Sequence, residues 1–191
     1  MSVDAEHQVV EVGGMHRERM SYEEWLALPE KPKAEWVDGW AVWSLMPPTP
    51  AHGRSQIKLG IFFDKVLPGL FGHAETYYRV APNKVRIPDF MLLTYETDAR
   101  EIEGAVVVLV EVLSPSTQGQ DTVVKANEYV RAGVGQYWLL DPVARTLGIY
   151  DSSSGGWDEL LLLTEERPSG TVTVGEHGTI EVDLHELLPA T

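Results

Sequence analysis

Three residues in the middle of the chain, Asp89, Glu111 and Lys125, have side chains able to carry out hydrolysis together. Asp89 follows Pro88 and opens the apolar run Phe90-Met91-Leu92-Leu93. Glu111 extends residues 105–110, a continuously apolar, mostly β-branched run that reads as a buried strand. A carboxylate there must be paired, protonated or bound to a cation, because burying it bare is very costly. Hard cations such as Mg²⁺ take one or two carboxylates together with water and substrate phosphate oxygens. Asp89 and Glu111 on neighbouring strands would supply that pair, and the backbone carbonyl of Val112 could add a third oxygen. Lys125 lies one turn into an expected helix, where it could stabilise a developing oxyanion or position an attacking water.

Each of these residues also has a plainer reading. Taken alone, Asp89 reads equally well as a strand-edge acid, and Glu111 as a strand-end acid paired with an arginine. Lys125 alone reads more readily as part of a solvated helix face, with Glu128 at i+3 as its partner. Glu35 begins an expected strand on the same face as Val37, as a third acid near the metal or as a surface acid opposite a lysine. His52 stands at the start of a helix, where it could touch phosphate or water but reads more readily as an ordinary polar residue. The remaining histidines lack metal-ligand spacing, and the chain has no glycine-rich phosphate loop and no nucleophile elbow.

The elements that must position these groups follow from local pattern. Residues 1–19 read as a flexible lead-in, with a single domain over 20–191 and a strand extension from about residue 146. Ser21 and Glu24 form a capping box for a short helix. Residues 34–43 read as a hairpin turning at Asp38-Gly39. A longer helix is expected over 51–66, burying a face with Ile57, Ile61 and Phe62. Strands are expected at 75–80, 83–87, 89–94 and 105–113, with a charged loop over 96–104. Asp121 is the expected cap of a helix reaching Ala132, with Gly133 just beyond its end. Strands follow at 136–140 and 146–150, then shorter ones towards the C-terminus. The order implies a mixed α/β domain, a central sheet flanked by helices.

At 191 residues the chain is long enough for an ordinary core, and it has no cysteine for disulfides or thiolate metal sites. The first twenty residues are polar and acidic, so no signal peptide is expected, and a cytoplasmic location is the default. No apolar run approaches a membrane span. The net charge of −14 argues against tight non-specific binding to polyanions. That acidity lies mostly in the flanks: residues 51–150 carry 10 Lys and Arg against 11 Asp and Glu.

The combined pattern resembles the Uma-two family of restriction endonucleases, within the PD-(D/E)XK nuclease superfamily. It comprises Pro88-Asp89, Glu111-Val112-Leu113-Ser114-Pro115-Ser116-Thr117, Asp121, Lys125, Tyr129, Ala132-Gly133-Val134 and Tyr137-Trp138-Leu139-Leu140-Asp141-Pro142. Tyr22 to Leu26, Glu35 to Gly39 and Met46-Pro47-Pro48 leading to His52 agree with it, so the resemblance spans about residues 21–150. It implies a restriction-endonuclease-like core and an endonuclease that hydrolyses phosphodiester bonds, DNA above RNA, with Mg²⁺ or Mn²⁺. Asp89 and Glu111 match the family's two acids. The superfamily's usual lysine two residues after the second acid is replaced by Leu113, and Lys125 takes its place from the following helix. Gln136 stands where a glutamate is common, with little consequence expected. The rival expectation is a non-catalytic, self-associating interaction module on the same fold. A homodimer would suit either reading.

Overall fold

A computed structural model describes residues 8–12, 14–114 and 120–189. Strands β1 (Val9–Val12) and β2 (Met15–Arg19) precede helix α1 (Tyr22–Leu26), followed by β3 (Glu35–Val37), β4 (Trp40–Ser44) and α2 (Pro50–Val66). Next come β5 (Phe71–Ala74), β6 (Tyr77–Ala81), β7 (Lys84–Arg86), β8 (Phe90–Leu93), β9 (Glu101–Ile102), β10 (Val108–Val112) and α3 (Gln120–Arg131). The chain continues through β11 (Gln136–Asp141), β12 (Thr146–Asp151), β13 (Asp158–Leu163), β14 (Ser169–Thr173), β15 (Thr179–Asp183) and α4 (Leu184–Leu187). The result is the expected mixed α/β architecture.

Two large sheets carry it. One runs in the order β13-β12-β11-β10-β8-β5, and the other in the order β1-β2-β4-β3-β7-β6-β9. In the first, β10 pairs antiparallel with β8 and parallel with β11. Alternation along β10 sends Val108, Val110 and Val112 to one face, where Phe62 and Phe63 of α2 and the β14–β15 hairpin cover them. Leu109 faces the other way with Met91, towards Tyr129 of α3. β10 is therefore buried on both faces, as its continuous apolar run requires.

Several expectations change in detail. The supposed lead-in forms the β1–β2 hairpin from Val9 onward, and β2 pairs with β4 over its whole length. On α2 the buried apolar side chains are Leu59, Phe62 and Phe63, whereas Ile57 and Ile61 are 66% and 65% exposed. Residues at i, i+3 and i+4 share one helix face, so Leu59 selects Phe62 and Phe63 and turns both isoleucines outward. Short strands β5 and β9 were not expected, and β9 lies inside the stretch read as a charged loop.

The local signals hold elsewhere. Ser21 and Glu24 make the reciprocal capping box. Asp38 and Gly39 both have positive φ, the geometry of the tight hairpin turn between β3 and β4. Gly133 takes φ 83° just past α3. Gly135 lets β11 approach β10 closely, because a Cβ there would lie 2.9 Å from the Val107 carbonyl oxygen. The cap expected at Asp121 borders residues 115–119, which lie outside the described residues; α3 already includes Gln120.

Candidate active site

The register between β8 and β10 brings the two acids together. Val110 pairs with Phe90 and Leu109 with Met91, so Glu111 and Asp89 are the residues next to the last pair of this antiparallel ladder, one on each chain segment. The two carboxyls are close enough for the charge of Asp89 to raise the pKa of Glu111. Asp89 is anchored from both flanks. Its Oδ2 accepts the Val112 N–H at 2.6 Å, and its Oδ1 lies 3.1 Å from Nε2 of His52 and 3.2 Å from Nε2 of Gln56. His52 and Gln56 are one turn apart near the start of α2, which Thr49 caps. The hydrogen bond to Asp89 raises the His52 pKa, against the opposing effect of burial.

Helix α3 supplies the other side. Lys125, Glu128 and Tyr129 stand at i, i+3 and i+4, on one helix face. The Tyr129 hydroxyl donates to Oε1 of Glu111 at 2.6 Å. Lys125 Nζ lies 2.9 Å from Oε1 of Glu35, with only 15% of its side chain exposed. Glu128 turns to Arg86 and Lys84. The solvated lysine face with a Lys125–Glu128 pair is thus replaced by a buried ionic cluster.

Glu35 reaches this cluster from the second sheet. Trp36 pairs with Val85 and Val37 with Lys84, so the same ladder sets Glu35 opposite Arg86. Arg86 Nη1 donates to Glu35 Oε2 at 2.7 Å, and Arg86 Nε donates to Glu128 Oε2 at 2.7 Å. The Ile87 N–H donates to Glu35 Oε1 at 3.3 Å. Burial would push the Glu35 carboxyl up, but Lys125 and then Arg86 outweigh it and hold the pKa below the ordinary value. Arg86, desolvated yet flanked by Glu35 and Glu128, is held firmly protonated.

Glu111 behaves differently. Burial pushes its carboxyl up to about 8, with Lys125 pulling down and Asp89 pushing further up. The Tyr129 hydroxyl is itself held well above its ordinary value, chiefly by burial and then by Glu111, so it remains a donor. Glu111 therefore sits in a place that disfavours its charge unless positive charge is added.

A hard cation fits this donor set. An ionised carboxylate offers about four acceptor positions. Asp89 uses three with Val112, His52 and Gln56, and Glu111 uses one with Tyr129, so each acid retains capacity. Nδ1 of His52, buried beside them, finds no partner among the described residues. Among the described residues no group of three His, Cys, Asp or Glu side chains forms a ready-made metal cage. A site of two carboxylates completed by water and substrate suits Mg²⁺ or Mn²⁺ better than a closed structural metal.

Sequence reasoning left Arg86, Tyr129 and Gln56 without roles. Only spacing pointed to them: Tyr129 at i+4 from Lys125, Gln56 at i+4 from His52, and Arg86 just before Ile87-Pro88-Asp89. Gln136 also has a role. Its Nε2 donates to the Thr173 carbonyl at 2.7 Å, while its Oε1 accepts the Trp138 indole N–H at 3.1 Å. An amide offers a donor and an acceptor at once, which an ionised glutamate cannot.

No helix among the described residues is long and apolar enough to cross a membrane. No curated protein matches the chain. A crystal structure described as that of a putative nuclease from Anabaena variabilis superposes with a TM-score of 0.67 at 21% identity, covering 86% of this chain and 95% of that one. This likeness carries the restriction-endonuclease-like fold. The family model described as "Putative restriction endonuclease" matches residues 21–188, nearly the whole chain, and the protein therefore belongs to the Uma2 family.

Proposed function

We propose that the protein is an endonuclease that hydrolyses phosphodiester bonds in DNA with the help of Mg²⁺ or Mn²⁺. The observation that carries this reading is the approach of Asp89 to Glu111 and Val112 at the end of the β8–β10 ladder, with Lys125 directed into the same charged cluster. Asp89, Glu111 and the Val112 carbonyl would hold the cation. When bound, the cation polarises the phosphate and lowers the pKa of an attacking water.

The chain's own residues do the rest. The Val112 N–H, His52 and Gln56 fix the Asp89 carboxylate, and Tyr129 orients Glu111. Outer partners of this kind set the aim and basicity of ligand groups. Lys125 offers its ammonium to the charge that grows on the phosphate oxygens. Glu35 belongs to the site through Lys125.

One surface feature favours the rival reading of a self-associating module. Ile57 and Ile61 stand exposed one turn apart on α2. The deciding experiment is nicking of supercoiled plasmid at low salt with Mg²⁺ or Mn²⁺, comparing parent, Asp89→Ala, Glu111→Ala and Lys125→Ala. Low salt matters because an acidic protein binds polyanions weakly. The nuclease reading expects cleavage by the parent and loss in both acid variants. Equal residual activity in all four proteins would mark a contaminant and favour the module.

A further inference from the structure

Building on the nuclease reading, we infer that Glu35, Arg86 and Glu128 form a buried ionic cradle that positions the displaced lysine, and that Glu35 is a positioning residue and not a metal ligand. A lysine two residues beyond Glu111 would share that acid's face through strand alternation alone. Leu113 occupies that place, and the ammonium comes instead from α3 on a flexible four-carbon stem. Something must fix it.

The geometry supplies that fixture. Both Glu35 oxygens are committed to cations: Oε1 to Lys125 at 2.9 Å and Oε2 to Arg86 at 2.7 Å. Arg86 spans Glu35 on β3 and Glu128 on α3 through two nitrogens of one rigid guanidinium. The planar fork sets the distance between those two acids. Glu128 lies one turn beyond Lys125, so the helix is gripped at both residues by the same linked pair. Lys84 extends the chain of charges, at 3.4 Å from both Glu128 and Asp38 of the β3–β4 turn. Exposures of 7% for Arg86, 11% for Glu128 and 12% for Glu35 keep water from screening these contacts. A carboxylate already holding two cations is a poor ligand for a third.

The test compares Glu35→Gln, Arg86→Lys and the double variant Glu35→Leu/Arg86→Met. The double variant removes both charges of the Glu35–Arg86 pair together, so neither is left buried without the other. Four quantities are read: kcat, KM, Mn²⁺ affinity by electron paramagnetic resonance, and the rate at which an amine-reactive ester acylates Lys125, followed by mass spectrometry. The expected result is a kcat lower by about 10–100-fold, since small misplacements carry losses of that order. KM and Mn²⁺ affinity should stay within about twofold, on the ground that an ammonium's holder is not a ligand. Lys125 acylation should accelerate severalfold in every folded variant. Unchanged cleavage and acylation in Glu35→Gln would overturn the inference. So would a fall in Mn²⁺ affinity, which would make Glu35 a ligand. If the parent cleaves nothing, the nuclease reading fails, yet faster acylation in Glu35→Gln would still uphold the cradle and unchanged acylation would still overturn it.

Discussion

The ammonium of Lys125 lies 2.9 Å from Oε1 of Glu35, although the lysine stands on helix α3 and the glutamate on strand β3, far earlier in the chain. This pair ties α3 to β3, close enough to Glu111 for both charges to act on its carboxyl. It makes the lysine part of a buried ionic cluster instead of a surface helix face. The consequences can be measured.

Lys125→Ala should fold, because alanine is the best helix former and Glu35 keeps Arg86 as a partner. Cleavage should fall by ~10²-fold or more, the loss seen when one donor to a transition-state oxyanion is removed. Mn²⁺ affinity should hold. Cleavage intact in Lys125→Ala but absent in both acid variants would keep the nuclease and remove the lysine from its mechanism.

Added Mn²⁺ should raise the melting temperature of the parent, because a ligand bound only to the native state stabilises it. Asp89→Asn should melt no lower than the parent without metal, since one of two facing acids has gone. It should also lose the Mn²⁺-induced shift. A shift that survives this substitution would place the ion elsewhere.

Metal-free stability should fall as pH rises from about 4.5 to about 8. The Glu111 carboxyl sits near 8 in the folded protein against an ordinary 4.5, so the native state binds more protons than the unfolded chain across that window. The stabilisation is complete below the lower value and lost as pH passes the upper one. Its size is on the order of a few kcal/mol, at about 1.4 kcal/mol per pKa unit with allowance for relaxation. Glu111→Gln should flatten this stretch of the melting profile. Mn²⁺ affinity of the parent should climb over the same range, because the ion must displace that proton. Flat profiles in parent and variant alike would refute the assignment.

Tyr129→Phe removes the hydroxyl that donates to Glu111 at 2.6 Å. That donor favours the ionised carboxyl, so its loss should move the Glu111 transition still higher in pH. Mn²⁺ affinity at neutral pH should drop by roughly 10-fold, as for other groups that orient a metal's ligands. Calorimetric titration across pH would show both effects, and unchanged affinity would detach Tyr129 from the site.

Gln136→Glu should destabilise the protein above neutral pH. An ionised carboxylate cannot donate to the Thr173 carbonyl that Gln136 now serves, and the resulting unsatisfied buried group costs about 1–3 kcal/mol. The melting temperature should fall more at pH 8 than at pH 5, where the acid can be protonated and donate. The expectation of little consequence at this position came from the sequence, which could not show that both ends of the side chain are occupied.

The sequence by itself determined what its short-range chemistry could specify. The run before Glu111 demanded a strand buried on both faces. Asp38-Gly39 demanded a tight hairpin, Ser21 with Glu24 a helix start, and Gly133 a helix end. Asp89, Glu111 and Lys125 were legible as a set because their types suit one reaction and their flanking motifs resemble one family. Tertiary structure decided the partners. Which face of α2 is buried depended on whether Leu59 or Ile57 meets the sheet, and residue types alone do not settle that choice among aliphatic side chains. Strand β1 gains its hydrogen bonds from β2, which in turn pairs with β4, so the segment looked unstructured when read locally. Whether Lys125 meets Glu128 or Glu35 was likewise a long-range matter. Helical spacing favours the first, but Arg86 lies opposite Glu35 and donates to both acids, which draws Glu128 towards the guanidinium and brings Lys125 to Glu35.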